Sequence, residues 1–241
     1  MIPIKDIIPR RQTPFVTYAL IFINVFVFLI EVSLPHDVLN YVFYVFGLVP
    51  ARYTHPEWAY IVGLHMDNYW PFLTNTFLHG SWFHLISNMW ALWIFGDNVE
   101  DRMGHSRYLI FYLLSGIAAS ITHFVFNPHS TIPSIGASGA LSGIMGAYFF
   151  MFPTSRIITL IPLFFIPYFI EIPAVIYLGF WFLSQLISGT FSIFIDQNAG
   201  GIAWWAHIGG FVFGMIIHKL FVRTEYCRNF YADEYYCRFL D

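Results

Sequence analysis

Four polar side chains lie in or beside apolar stretches at spacings suited to acyl transfer. Ser138 stands in Gly136-Ala137-Ser138-Gly139 and His207 in Ala206-His207-Ile208-Gly209-Gly210. His84 and Asn88 are four residues apart. A serine hydroxyl is a weak nucleophile until a base takes its proton, and histidine is the usual base. Ser138 and His207 are therefore the candidate nucleophile and general base. Acyl transfer also needs donors for a developing oxyanion. His84 and Asn88 share one helix face, and both can donate. The Ser138 amide, at a helix start, is a third donor. Each residue alone has a plainer reading: a packing serine, a satisfied core histidine, a pair bonding between helices. Their combination is what points to chemistry. His79, His84 and His207 could instead gather around a metal, but no His-x3-His or Glu-paired motif is present, so no cofactor is expected.

The elements that position these residues follow from composition. The 241 residues are 58% hydrophobic, 21% aromatic and only 10% charged. Soluble domains carry about 25% charged residues, so an all-α polytopic membrane protein is expected. The net charge of −3 does not suggest a nucleic-acid partner. Apolar runs place six spans at about 14–34, 83–95, 108–126, 136–152, 173–189 and 203–222. The first is too long for a signal core and lacks a small-residue cleavage site after it. The long segment 35–80 has mixed character and is read as interfacial. Pro162, Pro167 and Pro173 argue against a continuous helix over 153–172, which is read as interfacial or re-entrant. The domain plan is an N-terminal segment 1–13, a membrane domain 14–222 and a tail 223–241. Cys227 and Cys237 lie in that tail and suggest neither a disulfide framework nor a metal motif.

Orientation follows from Lys and Arg. With six spans, Lys5, Arg10, Arg11, Arg102, Arg107, Arg156, Lys219, Arg223, Arg228 and Arg238 share one side, and only Arg52 is on the other. That bias places both termini in the cytoplasm. Spans two, four and six then all enter from the outer face. His84, Asn88, Ser138 and His207 fall within their first turns, at one depth. Gly139 and Gly143 on span four, and Gly210 and Gly214 on span six, repeat at four-residue spacing. Such stripes let membrane helices pack backbone to backbone, which would bring Ser138 and His207 together. No carboxylate is required: Asp97, Glu100 and Asp101 lie on the far side, and Asp67 and Asp196 lie in loops. Glu100 and Arg102 read as a structural polar pair.

These motifs resemble the signatures of rhomboid intramembrane serine proteases. The resemblance rests on Gly136-Ala137-Ser138-Gly139, on Ala206-His207-Ile208-Gly209-Gly210-x3-Gly214 and on His79-x4-His84-x3-Asn88, with Gly96-x3-Glu100-x3-Gly104 as a further match. It covers nearly the whole six-span chain. It implies a Ser138–His207 dyad with His84 and Asn88 beside the oxyanion. It also implies cleavage of single-span or polytopic membrane proteins near the outer face, in a bacterial cytoplasmic membrane. Two positions depart from the pattern. Pro71 follows Trp70 where many relatives have arginine, and Ser142 stands where some carry a tyrosine against the histidine.

Two function classes remain at this stage. One is a protease; the other is a catalytically silent rhomboid-like protein that holds membrane segments. Retention of both Ser138 and His207 favours the first. A transporter would require charged residues at mid-membrane, and the spans nearly lack them. Span five is the expected entry gate for substrate. The proline-broken stretch 157–173 would tether it weakly, and Phe180, Trp181 and Phe182 would plug the gap beside it.

Overall fold

The computed structural model describes residues 2–163, 166–194 and 201–223. Cys227, Cys237, Asp196, Arg228 and Arg238 lie outside the described residues. Among the described residues, ten α-helices and three strands follow in the order β1 (Ile2–Asp6), α1 (Phe15–Ser33), α2 (His36–Phe46), α3 (Ala51–Thr54), α4 (Pro56–Ile61), α5 (Pro71–Thr74), α6 (Trp82–Met103), α7 (His105–Phe126), α8 (Ser138–Met151), β2 (Arg156–Leu163), β3 (Ile166–Pro173), α9 (Ala174–Ser192) and α10 (Trp204–Ile217). Six of these helices coincide with the six apolar runs. By length and composition, α1, α7 and α9 can each cross a bilayer. The chain is an integral membrane protein.

The apolar pattern does not explain why α8 and α10 are short. Each has 14 residues, about 21 Å at 1.5 Å per residue, against a hydrocarbon core of about 30 Å. α8 stands inside the bundle, and α10 buries one face against it. Every α8 residue from Gly139 to Tyr148 is buried, so its ends meet protein rather than lipid. α6 runs eight residues past the expected end of span two, because its polar second half is also buried: Asn98, Glu100 and Arg102 are nearly inaccessible.

Glu100 explains part of that extension. Its carboxylate accepts the amides of Val16 and Thr17 at 2.9 and 2.8 Å and the Thr17 hydroxyl at 2.7 Å. These are unpaired donors at the start of α1, and α1 lacks a side-chain cap of its own. His105 Nδ1 lies 2.5 Å from the same carboxylate. Glu100 thus ties three helices at one end of the bundle. At the other end, fully buried Arg52 donates to the carbonyls of Tyr44 and Val45 at the end of α2. The cation meets the negative pole of that helix, so this arginine locks the loop after α2.

The all-α expectation misses a sheet. β1, β2 and β3 form an antiparallel three-stranded sheet in that order. β2 and β3 pair along their full length, with Pro162 opposite Pro167 at the hairpin end and Arg156 opposite Pro173 at the base. β1 pairs only with Ile157–Leu160, through a register shift between Pro3 and Lys5. Pro162 lies beyond the reach of β1, and β3 is an edge strand. Those are the places where a sheet tolerates proline. The re-entrant reading of 153–172 is corrected accordingly, as is the weak tether to span five. The amides of Ala174 and Val175 donate to Ser155 and Pro153 carbonyls at 2.6 and 3.1 Å, so α9 leaves the sheet from a fixed base. Asp6 accepts from the Tyr148 hydroxyl of α8 at 2.6 Å and also from Asn98 of α6. Trp90 donates to the Pro3 carbonyl at 2.6 Å. The sheet therefore closes the end of the bundle opposite Ser138.

Candidate active site

Ser138 is the first residue of α8 and His207 lies in the first turns of α10. Glycines set the distance between these helices. A Cβ on Gly210 would meet the Gly139 carbonyl, one on Gly214 the Gly143 carbonyl, and one on Gly146 the Phe211 carbonyl. The backbones therefore touch, as small-residue stripes allow in membranes. With the axes this close, His207 Nε2 reaches Ser138 Oγ at 2.8 Å. His207 itself is buried. Trp181 lies against its ring at 5.9 Å and Trp204 at 6.3 Å, edge-on. Ser142, where some relatives carry an aromatic, donates its hydroxyl to the Ser138 carbonyl at 2.6 Å. The aromatic contacts to His207 come instead from Trp181 of α9 and Trp204 of α10 itself.

His84 joins this pair through Gly136. At φ +129° this glycine has a backbone conformation that side chains resist. A Cβ placed on it would stand 2.6 Å from His84 Nε2 and 3.6 Å from Ser138 Oγ. The two atoms are therefore separated by no more than the sum of those distances. Gly136 holds an open space between a histidine and the serine, where a Cβ cannot go. As an N-terminal residue of α8, Ser138 also has a backbone amide without an intrahelical acceptor.

Asn88 is placed differently. It is buried, and its Nδ2 lies 3.1 Å from Nε2 of His79. The His79 ring in turn meets the His84 ring at 5.1 Å. The His79 amide donates to Glu31, a buried carboxylate at the end of α1, at 3.2 Å. Asn88 thus belongs to a network standing behind His84 and keeps one amide hydrogen for another partner. Glu31 was absent from the site read from sequence, whereas His79 entered it as a possible metal ligand and as part of the motif around His84. The available signal was a charge within an apolar span.

A second missed residue is Gln185 on α9. Its Oε1 lies 2.8 Å from His207 Nδ1, and it is buried. A cavity of about 20 Å³ opens beside Ser138, lined by Asn75, Thr76, Ser120, Ser134 and Gly139 among others. That is room for about one water. Asn75 donates to Ser120 at 2.9 Å within it. Pro71 starts α5 at the N-terminal position that proline favours, leaving the preceding Trp70 exposed. Among the described residues, no group of three or more His, Cys, Asp or Glu is placed to hold a metal ion.

Comparison with known proteins agrees with this architecture. The family model of the Rhomboid domain matches residues 66–224. Rhomboid protease GluP of Bacillus subtilis is 43% identical over 88 residues, 36% of this chain and 17% of that protein. Rhomboid protein 1, mitochondrial, of Saccharomyces cerevisiae is 31% identical over 153 residues, 59% of this chain and 39% of the relative. Presenilin-associated rhomboid-like protein, mitochondrial, of Homo sapiens is 28% identical over 153 residues, 60% and 36% respectively. The chain thus spans less than half the length of these curated relatives. The matched residues include Ser138, His207, His84 and Asn88 and run from the loop before α5 to the end of α10. The chain belongs to the rhomboid family.

Proposed function

We propose that this protein is an intramembrane serine protease that cuts membrane segments of other proteins. The observation that carries this reading is the 2.8 Å contact between Ser138 Oγ and His207 Nε2, buried at one end of a membrane bundle. Family membership supports it, since the rhomboid family includes serine intramembrane proteases.

In this reading Ser138 Oγ attacks the scissile carbonyl carbon as its proton passes to His207 Nε2. A C–O bond forms, and the carbonyl electron pair moves onto oxygen. The oxyanion develops near the Ser138 amide and His84, with Asn88 supporting. Collapse breaks the C–N bond, and His207 returns the proton to the departing amine. Water then attacks the acyl ester, giving a proton to His207, and the serine is regenerated. The cavity beside Ser138 can hold that water.

The sheet supports the topology. β1 and β2 pair, so they share one side of the membrane. An even number of crossings must separate them, and α1, α6, α7 and α8 supply four. With α9 and α10 the total is six. In this reading both termini lie on the sheet side, and the Lys and Arg bias supports the cytoplasm for that side. Substrates are single-span or polytopic membrane proteins, approached through the lipid near the outer face of a bacterial cytoplasmic membrane.

The test is incubation of detergent-purified or liposome-reconstituted protein with a single-span reporter, wild type beside Ser138→Ala. Wild type is expected to release a fragment and Ser138→Ala none. Equal release by both, or binding without cleavage by wild type, overturns the reading; the second outcome would indicate a catalytically silent holder of membrane segments.

A further inference from the structure

We propose that Gln185 is a positioning residue that sets the tautomer of His207, making the catalytic unit Ser138–His207–Gln185 rather than a bare dyad. This rests on the protease reading above.

The amide orientation is fixed by its own bonds. Gln185 Nε2 donates to the Trp181 carbonyl at 3.2 Å and to the Ser184 hydroxyl at 2.9 Å. The oxygen end therefore faces His207. A carbonyl oxygen only accepts, so His207 Nδ1 must carry a hydrogen. In a neutral imidazole, Nε2 then has the free lone pair, and Nε2 is the atom 2.8 Å from Ser138 Oγ. That is the tautomer a general base needs. In serine proteases with a carboxylate third member, presenting the wrong tautomer costs about 10⁴ in rate.

The choice of an amide has a physical reason. An ionised carboxylate at this depth would be expensive to keep, whereas a buried amide with both ends bonded is not. Gln185 still accepts from the imidazolium formed during catalysis, without a full charge. Gln185 and Trp181 are four residues apart on α9 and meet opposite aspects of the base: its Nδ1 and its ring face. One helix therefore supplies both constraints. Any outward displacement of α9 removes them together, and its return restores them. The base is correctly set only when α9 is seated.

The test uses a fluorophosphonate probe, so no natural substrate is needed. Labelling of Ser138 is followed as kinact and KI in wild type, Gln185→Met and Gln185→Glu, with Ser138→Ala as the blank. Gln185→Met keeps the length but cannot accept. It is expected to lower kinact by about tenfold to a hundredfold, the scale for a misplaced catalytic group, with KI little changed. Gln185→Glu should recover most of kinact. It should also move the acid limb of the pH–kinact profile to higher pH, because an adjacent carboxylate favours the imidazolium. His84 and His123, which also act on His207 electrostatically, are present in every variant and cancel in the comparison. If position 185 did not bond His207 in the working enzyme, that limb would stay in place. An unchanged kinact in Gln185→Met, or an unshifted profile in a folded Gln185→Glu, overturns the proposal. If Gln185→Glu does not fold, Gln185→Met decides alone. Serine-independent labelling of wild type would instead remove the protease reading, and this proposal with it.

Discussion

Two of the helices packed against α10 hold it in opposite ways. Against α8 the contact is backbone on backbone: Gly139, Gly143 and Gly146 lie against Gly210, Gly214 and the Phe211 carbonyl. Neither helix can shift by a fraction of an ångström without a clash or a gap. Against α9 the contact is made by side chains. Phe182 stacks on Phe211 at 4.5 Å, Trp181 lies 5.8 Å from the same ring, and Gln185 bonds His207. Aromatic side chains can rotate aside and return. The lesson is a division of labour: α8 and α10 fix the Ser138–His207 distance, while α9 is seated by contacts that can be broken singly.

The largest expected effect tests the fixed side. Gly214→Leu would drive a side chain into the Gly143 backbone, which cannot yield as a side chain does. The cost should exceed the roughly 1–3 kcal/mol of ordinary overpacking. Thermal unfolding in detergent should show a large fall in melting temperature and loss of Ser138 labelling. A near-normal melting temperature would erase the distinction.

A smaller effect tests the seated side. Phe182→Ala should raise cleavage of a membrane-embedded substrate severalfold, by loosening a gate that substrate must open. A soluble, extended peptide should gain little. Phe180 was expected to share in the plug, but it is 70% exposed. Phe180→Ala should therefore change neither rate. Paired assays on both substrates read this directly, and equal gains for the two would count against a gate at α9.

The smallest effect concerns the base from which α9 departs. Burial, reinforced by nearby Asp97 and opposed by the Tyr148 hydroxyl, pushes the Asp6 carboxyl up to about 7 from its usual 3.8. The folded protein therefore holds this proton more tightly than the unfolded chain does. Its contribution is fully present below pH 4 and is lost as pH rises towards 7. Asp6→Asn keeps an oxygen that can accept from Tyr148 and Asn98, and removes the titration. Its melting temperature should vary less than wild type between pH 4 and 7 and exceed it at pH 7.5. Parallel curves would show that Asp6 does not titrate with folding.

The features legible in sequence were those with a local pattern. Apolar runs marked six helices, and glycine spacing marked α8 and α10 as neighbours. Matched depth grouped His84, Ser138 and His207. The sheet was hidden because its prolines sit at hairpin ends and on an edge, where they interrupt the written pattern without interrupting pairing. Ile157, Ile158 and Thr159 were the strand signal that remained. Glu31 and Gln185 were missed because each stands in an apolar helix outside any motif, and its partner comes from an element distant in sequence.

The pairing of β1 with β2 also has a consequence for biosynthesis. Ile2 must find Leu160, yet α1 to α8 are made between them. At about 5–20 residues per second, on the order of ten seconds pass before the partner strand leaves the ribosome. During that interval the first strand is an unpaired edge beside the membrane surface. The prolines at positions 3 and 9 make it a poor template for mispairing. On the proposed topology, closure of the sheet would then report that α1, α6, α7 and α8 have been inserted with the correct parity.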